Sequence, residues 1–83
     1  MKTKIKAENI IEVQAIVALL TLEFGSVNIE ITKAMINCEM KFYIVVKNKD
    51  IHPLDIYRLL QDNKIMTYIH FTINGRGRWA PTY

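Results

Sequence analysis

The chain has 83 residues, 51% of them hydrophobic and 23% charged, with a formal net charge of +3. This length predicts one domain, and the apolar fraction excludes a disordered chain. The single cysteine excludes an internal disulfide, so packing must stabilise the fold. The sequence shows neither the roughly 20 apolar residues of a membrane span nor a signal peptide. We therefore expect a cytoplasmic protein without a membrane partner.

The first half of the chain alternates between strand and helix patterns. Met1–Ala7 alternates polar and apolar side chains and predicts a first strand. Apolar residues at spacings of three and four then predict a helix that begins after Asn9, a candidate N-cap, and ends at Gly25. A second alternating run over 27–33 predicts the next strand, and 34–37 predicts a turn.

The second half repeats this order. Residues 38–47 predict a third strand with Cys38 on its buried row. Pro53 is typical of a first helical turn and predicts a second helix, with His52 serving its start. Residues 65–73 predict a last strand, which the turn signal Asn74-Gly75 ends.

The order β-α-β-β-α-β predicts an α+β fold in two layers. We expect a ferredoxin-like arrangement, in which one antiparallel four-stranded sheet of strand order 4-1-3-2 carries two helices on one face. If the first strand does not form, the alternative is α-β-β-α-β with a three-stranded sheet. The predicted single domain is 1–73, and 74–83 follow it as a basic, aromatic C-terminal tail.

The predicted helix 9–24 is apolar on nearly all sides. A helix on the surface of a two-layer fold needs one apolar stripe, so the excess favours an interface. The alternative is that the extra residues pack beneath the second helix and the tail. We expect a homodimer or another protein partner. The interface candidates are Ile11, Ala15, Ala18, Leu19 and Leu22.

The sheet face opposite the helices is predicted to carry lysines interleaved with rings. Lysines contact phosphates and rings stack on bases, so this face indicates single-stranded nucleic acid as a second candidate partner. The alternative is a solvated face, or one that pairs with another sheet. The arginines of the tail would join the lysines of the first strand in one basic corner, unless both are simply solvated ends. The nucleic-acid candidates are Lys2, Lys4, Lys41, Tyr43, Tyr68, His70, Arg76, Arg78 and Trp79.

No catalytic motif is present in the sequence. Cys38 is predicted to be buried, with His70 on the other side of the sheet, so the two do not form a nucleophile and base. Two histidines do not make a metal site, and no glycine-rich phosphate loop follows a strand. We expect no enzyme activity, no metal and no cofactor.

The sequence therefore predicts a small non-catalytic protein-interaction or regulatory module that self-associates through helix 9–24. Two alternatives remain open. One is a nucleic-acid-binding module that uses the lysine and tyrosine face and the arginine tail. The other is a small-ligand-sensing domain with a pocket at a subunit interface.

Overall fold

A computed structural model describes residues 3–83 apart from the side chain of Ile73. It shows an α+β fold with one antiparallel sheet and two helices, as expected. The strands are β1 (Thr3–Ala7), β2 (Ile29–Ile36), β3 (Glu39–Val46), β4 (Tyr68–Ile73) and β5 (Arg76–Pro81), and the helices are α1 (Ile10–Phe24) and α2 (Pro53–Asp62). Within residues 3–83, neither helix has the length and apolar character that crossing a bilayer requires.

The sheet has five strands in the order β2-β3-β1-β4-β5, so the predicted ferredoxin-like sheet of four strands is wrong: β5 lies beside β4, and the order 4-1-3-2 describes only part of the sheet. The difference arises at Asn74 and Gly75, whose φ angles are 51° and 79°. Two successive positive φ angles form a tight hairpin turn. The segment predicted as a tail therefore returns along β4 as β5, and β4 lies inside the sheet. The three-stranded alternative is also wrong, because β1 forms and pairs with both β3 and β4.

A second tight turn corrects the prediction for Cys38. The strand β2 continues to Ile36, which lies opposite Glu39, and the chain turns between them. Asn37 and Cys38 have φ angles of 52° and 64°, as a two-residue hairpin loop requires. Cys38 is therefore exposed in a turn and does not contribute to the core.

The core lies between the helices and one face of the sheet. Ile5 lies opposite Ile44 on one side and Ile69 on the other, and all three are fully buried. The helices cover this row with apolar side chains from both α1 and α2. These are Val13, Ile16, Leu20, Ile56 and Leu60.

Local signals define the helix ends as predicted. Asn9 Oδ1 accepts a hydrogen bond from the Glu12 N–H at 2.9 Å and caps α1. Gly25 ends α1 with a φ of 78°, a conformation that costs glycine little. His52 Nδ1 accepts from the Leu54 N–H at 3.1 Å and caps α2.

The end of the chain is joined to the fold by hydrogen bonds. The Thr82 N–H donates to the Thr67 carbonyl, and Thr82 Oγ1 accepts from the Thr67 N–H, each at 2.9 Å. The Tyr57 hydroxyl of α2 donates to the Pro81 carbonyl at 2.7 Å. These bonds hold β5 against β4 and α2.

Candidate binding surfaces on the sheet and on helix α1

The sheet face opposite the helices, called the open face here, presents the rings and lysines that alternation predicts. Lys4 lies opposite His70, and Lys6 lies opposite Tyr43. His70 in turn lies opposite Trp79 of β5. Paired residues of neighbouring strands share a face. The open face therefore brings together residues of β1, β3 and the hairpin of β4 and β5, three segments that are far apart in sequence.

Five rings on and beside the open face form an aromatic cluster, made of Tyr43, Tyr68, His70, Trp79 and Tyr83. The ring centroid of Trp79 lies 5.0 Å from that of His70 and 6.0 Å from that of Tyr43. The rings of Tyr68 and Tyr83 meet edge-on at 5.9 Å, and their hydroxyl oxygens are 2.8 Å apart. This hydrogen bond raises the pKa of Tyr83. Such tilted contacts hold rings in place while leaving parts of their faces exposed.

An open cavity of about 380 Å³ lies among these rings, lined by Lys6, Tyr43, Tyr68 and Trp79. The Lys6 amine lies 5.7 Å from the centroid of the Tyr68 ring, within cation–π range. The volume is near the lower end of the range of small-ligand pockets, about 300–1,000 Å³. The site thus offers aromatic surface and one positive charge at the same place.

The lysines of the open face differ in their partners. Lys41 binds the carboxylates of Glu8 and Glu39, and its hydrogen bonds to them raise the pKa of Lys41. Lys47 lies 2.6 Å from a Glu30 carboxylate oxygen. Among residues 3–83, by contrast, neither Lys4 nor Lys6 forms an ion pair with a carboxylate. Among the described residues, the open-face lysines without an ion pair therefore lie on β1, beside the aromatic cluster, and Lys6 has only a longer-range attraction to Glu8.

The structure divides the predicted nucleic-acid candidates into three groups. Lys4, Tyr43, Tyr68, His70 and Trp79 lie together on the open face. Lys41 shares that face but is bound to two carboxylates. Arg78 lies opposite Phe71, which packs against the core, so Arg78 and its alternate neighbour Arg76 lie on the helix side of β5. Lys2 is outside the described residues.

Three residues of the site are not among the candidates that the sequence predicts. Lys6 belongs to the same alternating row as Lys4, and this alternation already predicts that Lys6 lies on the open face. Gly77 has no side chain and leaves room for the His70 imidazole. Nothing in the local sequence marks Tyr83, whose place depends on the pairing of β4 with β5.

The helix α1 carries a second candidate surface. Its fully buried face is formed by Val13, Ile16 and Leu20. On the opposite side Ile11 is 73% exposed and Leu22 is 85% exposed. Ala15 and Ala18 are also exposed, whereas Leu19 is half-buried. These four exposed residues, called the α1 stripe here, lie in one row along the helix because their spacings are four, three and four.

In the comparisons with known proteins, no family model, no curated protein and no solved structure matches this chain. Both candidate binding surfaces are therefore inferred from the geometry of this chain alone.

Proposed function

We propose that this chain is a small non-catalytic interaction module that self-associates through the α1 stripe. The observation that carries the proposal is the exposure of Ile11 and Leu22, two large aliphatic side chains on the side of α1 that faces away from the core. Burial of apolar surface contributes about 25 cal/mol per Å². A partner that covers this row therefore gains stability from residues that the monomer leaves in water.

The α1 stripe is complementary to itself. Large side chains stand at its two ends and alanines occupy its middle, so two helix backbones can approach closely at the centre. In an antiparallel pair, Ile11 of one copy contacts Leu22 of the other. Symmetric contacts of this kind are the commonest basis of homodimers. A second copy of the chain thus provides a matching surface.

The helix α2 makes a weaker candidate for the same role. Its exposed side carries Asp55, Arg58 and Asp62, and charges of both signs favour contact with water. Leu54 is its one large apolar residue with substantial exposure, at 43%. Self-association is therefore assigned to α1, and α2 provides the control surface.

Sedimentation equilibrium over a range of micromolar concentrations tests this proposal. We expect the wild-type mass to rise towards that of a dimer, and the double variant Ile11→Glu with Leu22→Glu to stay monomeric. Leu54→Glu introduces the same carboxylate on α2 and is expected to retain the dimer. Circular dichroism confirms that each variant is folded. A wild-type chain that remains monomeric throughout, or a double variant that still dimerises, refutes the proposal.

A further inference from the structure

We propose that the open face binds single-stranded nucleic acid, with bases stacked on Trp79 and Tyr68 and phosphates contacting Lys4 and Lys6. This inference goes beyond self-association and is independent of it, because α1 and the open face lie on opposite sides of the sheet. In a dimer joined through α1, the two open faces point outward and remain accessible.

The exposed rings provide the stacking surface. Trp79 is 45% exposed and Tyr68 is 39% exposed, so each ring is accessible to a ligand. Each is also held by a neighbour, since His70 contacts Trp79 and Tyr83 contacts Tyr68. Rings that are already ordered lose little entropy on binding, which favours affinity.

The two lysines of β1, which form no ion pair within residues 3–83, provide the phosphate contacts. Lys4 and Lys6 lie on the same face of β1 about 7 Å apart, because alternate residues of a strand are separated by two rises of about 3.3 Å. This separation lets the two amines contact different phosphates. Lys6 also lines the cavity among the rings, so a base and its phosphate can be bound side by side.

The distribution of the rings favours a strand of several nucleotides over a single small ligand. The two exposed rings belong to separate pairs, Trp79 with His70 and Tyr68 with Tyr83, so two bases can be stacked at the same time. A base in a duplex is already stacked on its neighbours, so exposed rings select single strands. Every base has a π-face, and we therefore expect little sequence preference.

Fluorescence anisotropy with a labelled single-stranded oligonucleotide, measured at several salt concentrations, tests the inference. We expect affinity to fall as salt rises. The double variant Lys4→Gln with Lys6→Gln should reduce the slope of log affinity against log salt by about 1.4, because each phosphate contact on a single strand contributes about 0.7. The matched control is Lys41→Gln with Lys47→Gln, which removes the same charge from the same face.

The control separates a defined site from general attraction between charges. Lys41 and Lys47 are already bound to carboxylates, so their replacement should leave the slope nearly unchanged. If both double variants reduce affinity and slope equally, the assignment to β1 is refuted. Absence of oligonucleotide binding at low salt refutes the inference altogether.

Two further measurements test the role of the rings. Trp79 is the one tryptophan of the chain, so its fluorescence should be quenched when the oligonucleotide binds. Trp79→Ala should weaken binding about tenfold or more, as expected for loss of a stacked base.

A mononucleotide that binds as tightly as the oligonucleotide would identify a small-ligand pocket and overturn the inference. Loss of binding in Arg76→Gln with Arg78→Gln, but not in the β1 variant, would place the contact on the helix side of β5 and overturn it as well.

Discussion

The imidazole of His70 lies directly over Gly77, since a Cβ at position 77 would be 2.6 Å from His70 Nε2 and 2.8 Å from Cε1. On its strand, Gly77 is two residues from Trp79, whose ring centroid lies 5.0 Å from that of His70. The imidazole is therefore placed between a bare stretch of backbone and the indole ring. The absence of a side chain at position 77 thus helps to hold the ring of Trp79, the aromatic residue of β5, in place.

Gly77→Ala is expected to displace His70 and remove its contact with Trp79. An aromatic contact of this kind stabilises a fold by about 0.5–1.5 kcal/mol. We therefore expect a modest loss of stability in chemical denaturation, together with a shift in tryptophan emission.

Gly75→Ala is the matched control, because position 75 has a φ of 79° and a Cβ added there would have no atom within 4 Å. It should lower stability by about 1–2 kcal/mol through backbone strain and leave the emission unchanged. Unchanged emission in Gly77→Ala would contradict the proposed support of Trp79.

The two leucines at positions 20 and 22 of α1 should respond very differently to truncation. Leu20 is fully buried, so Leu20→Ala is expected to cost about 2–5 kcal/mol by loss of packing and creation of a cavity. Leu22 is 85% exposed, and Leu22→Ala should change the stability of the monomer by less than about 0.5 kcal/mol. Urea denaturation, at protein concentrations too low for the dimer to form, measures the change in stability of both variants. Similar losses for the two variants would contradict the assignment of the buried and exposed faces of α1.

Acid should weaken the contact between Glu8 and Lys41. The hydrogen bond from Lys41 lowers the pKa of Glu8 below its ordinary value of 4.5. A lowered carboxyl pKa stabilises the fold above the ordinary value, and this contribution is lost as the pH falls through the folded-state pKa. Glu8→Gln should therefore show a smaller loss of stability between about pH 5 and pH 3 than the wild type. If the curves of stability against pH run parallel for the wild type and Glu8→Gln, the contact between Glu8 and Lys41 is contradicted.

Glu12 should show the opposite dependence on pH. Burial raises its pKa above 4.5, and among the described residues its Oε1 is buried without a hydrogen-bond partner. The charged form is therefore penalised in the folded state at neutral pH, whereas the protonated form in acid is not. Glu12→Gln should be more stable than the wild type at pH 7, and the difference should vanish as the pH falls below 4.5. Thermal denaturation at both pH values measures this, and a less stable variant at pH 7 would contradict it.

The helices are largely predictable because their signals are local. Asn9, Gly25 and His52 define helix ends through contacts within a few residues, so their roles follow from the nearby sequence. The α1 stripe is predictable in the same way, since four of the five predicted interface candidates are exposed. The partial burial of Leu19 depends on packing within the folded chain, which helical periodicity does not reveal.

The turn signal before the fifth strand is compatible with two different structures. Asn74-Gly75 is typical of a two-residue hairpin, but the same dipeptide can also end a sheet. The pairing of His70 with Trp79 follows once the chain turns back at that point. The same pairing places Arg76 and Arg78 on the helix side of β5, away from the lysines with which the sequence groups them.

For the four strands that the sequence predicts, alternation along a single segment by itself determined which side chains share a face. The sequence also determined the helices and their ends. Only the tertiary structure decided which of those lysines form ion pairs and which rings meet. Lys41 is bound by Glu8, 33 residues away, whereas Lys6 lies against Tyr68. Such choices depend on the order of strands in the sheet, which is fixed by contacts between distant segments.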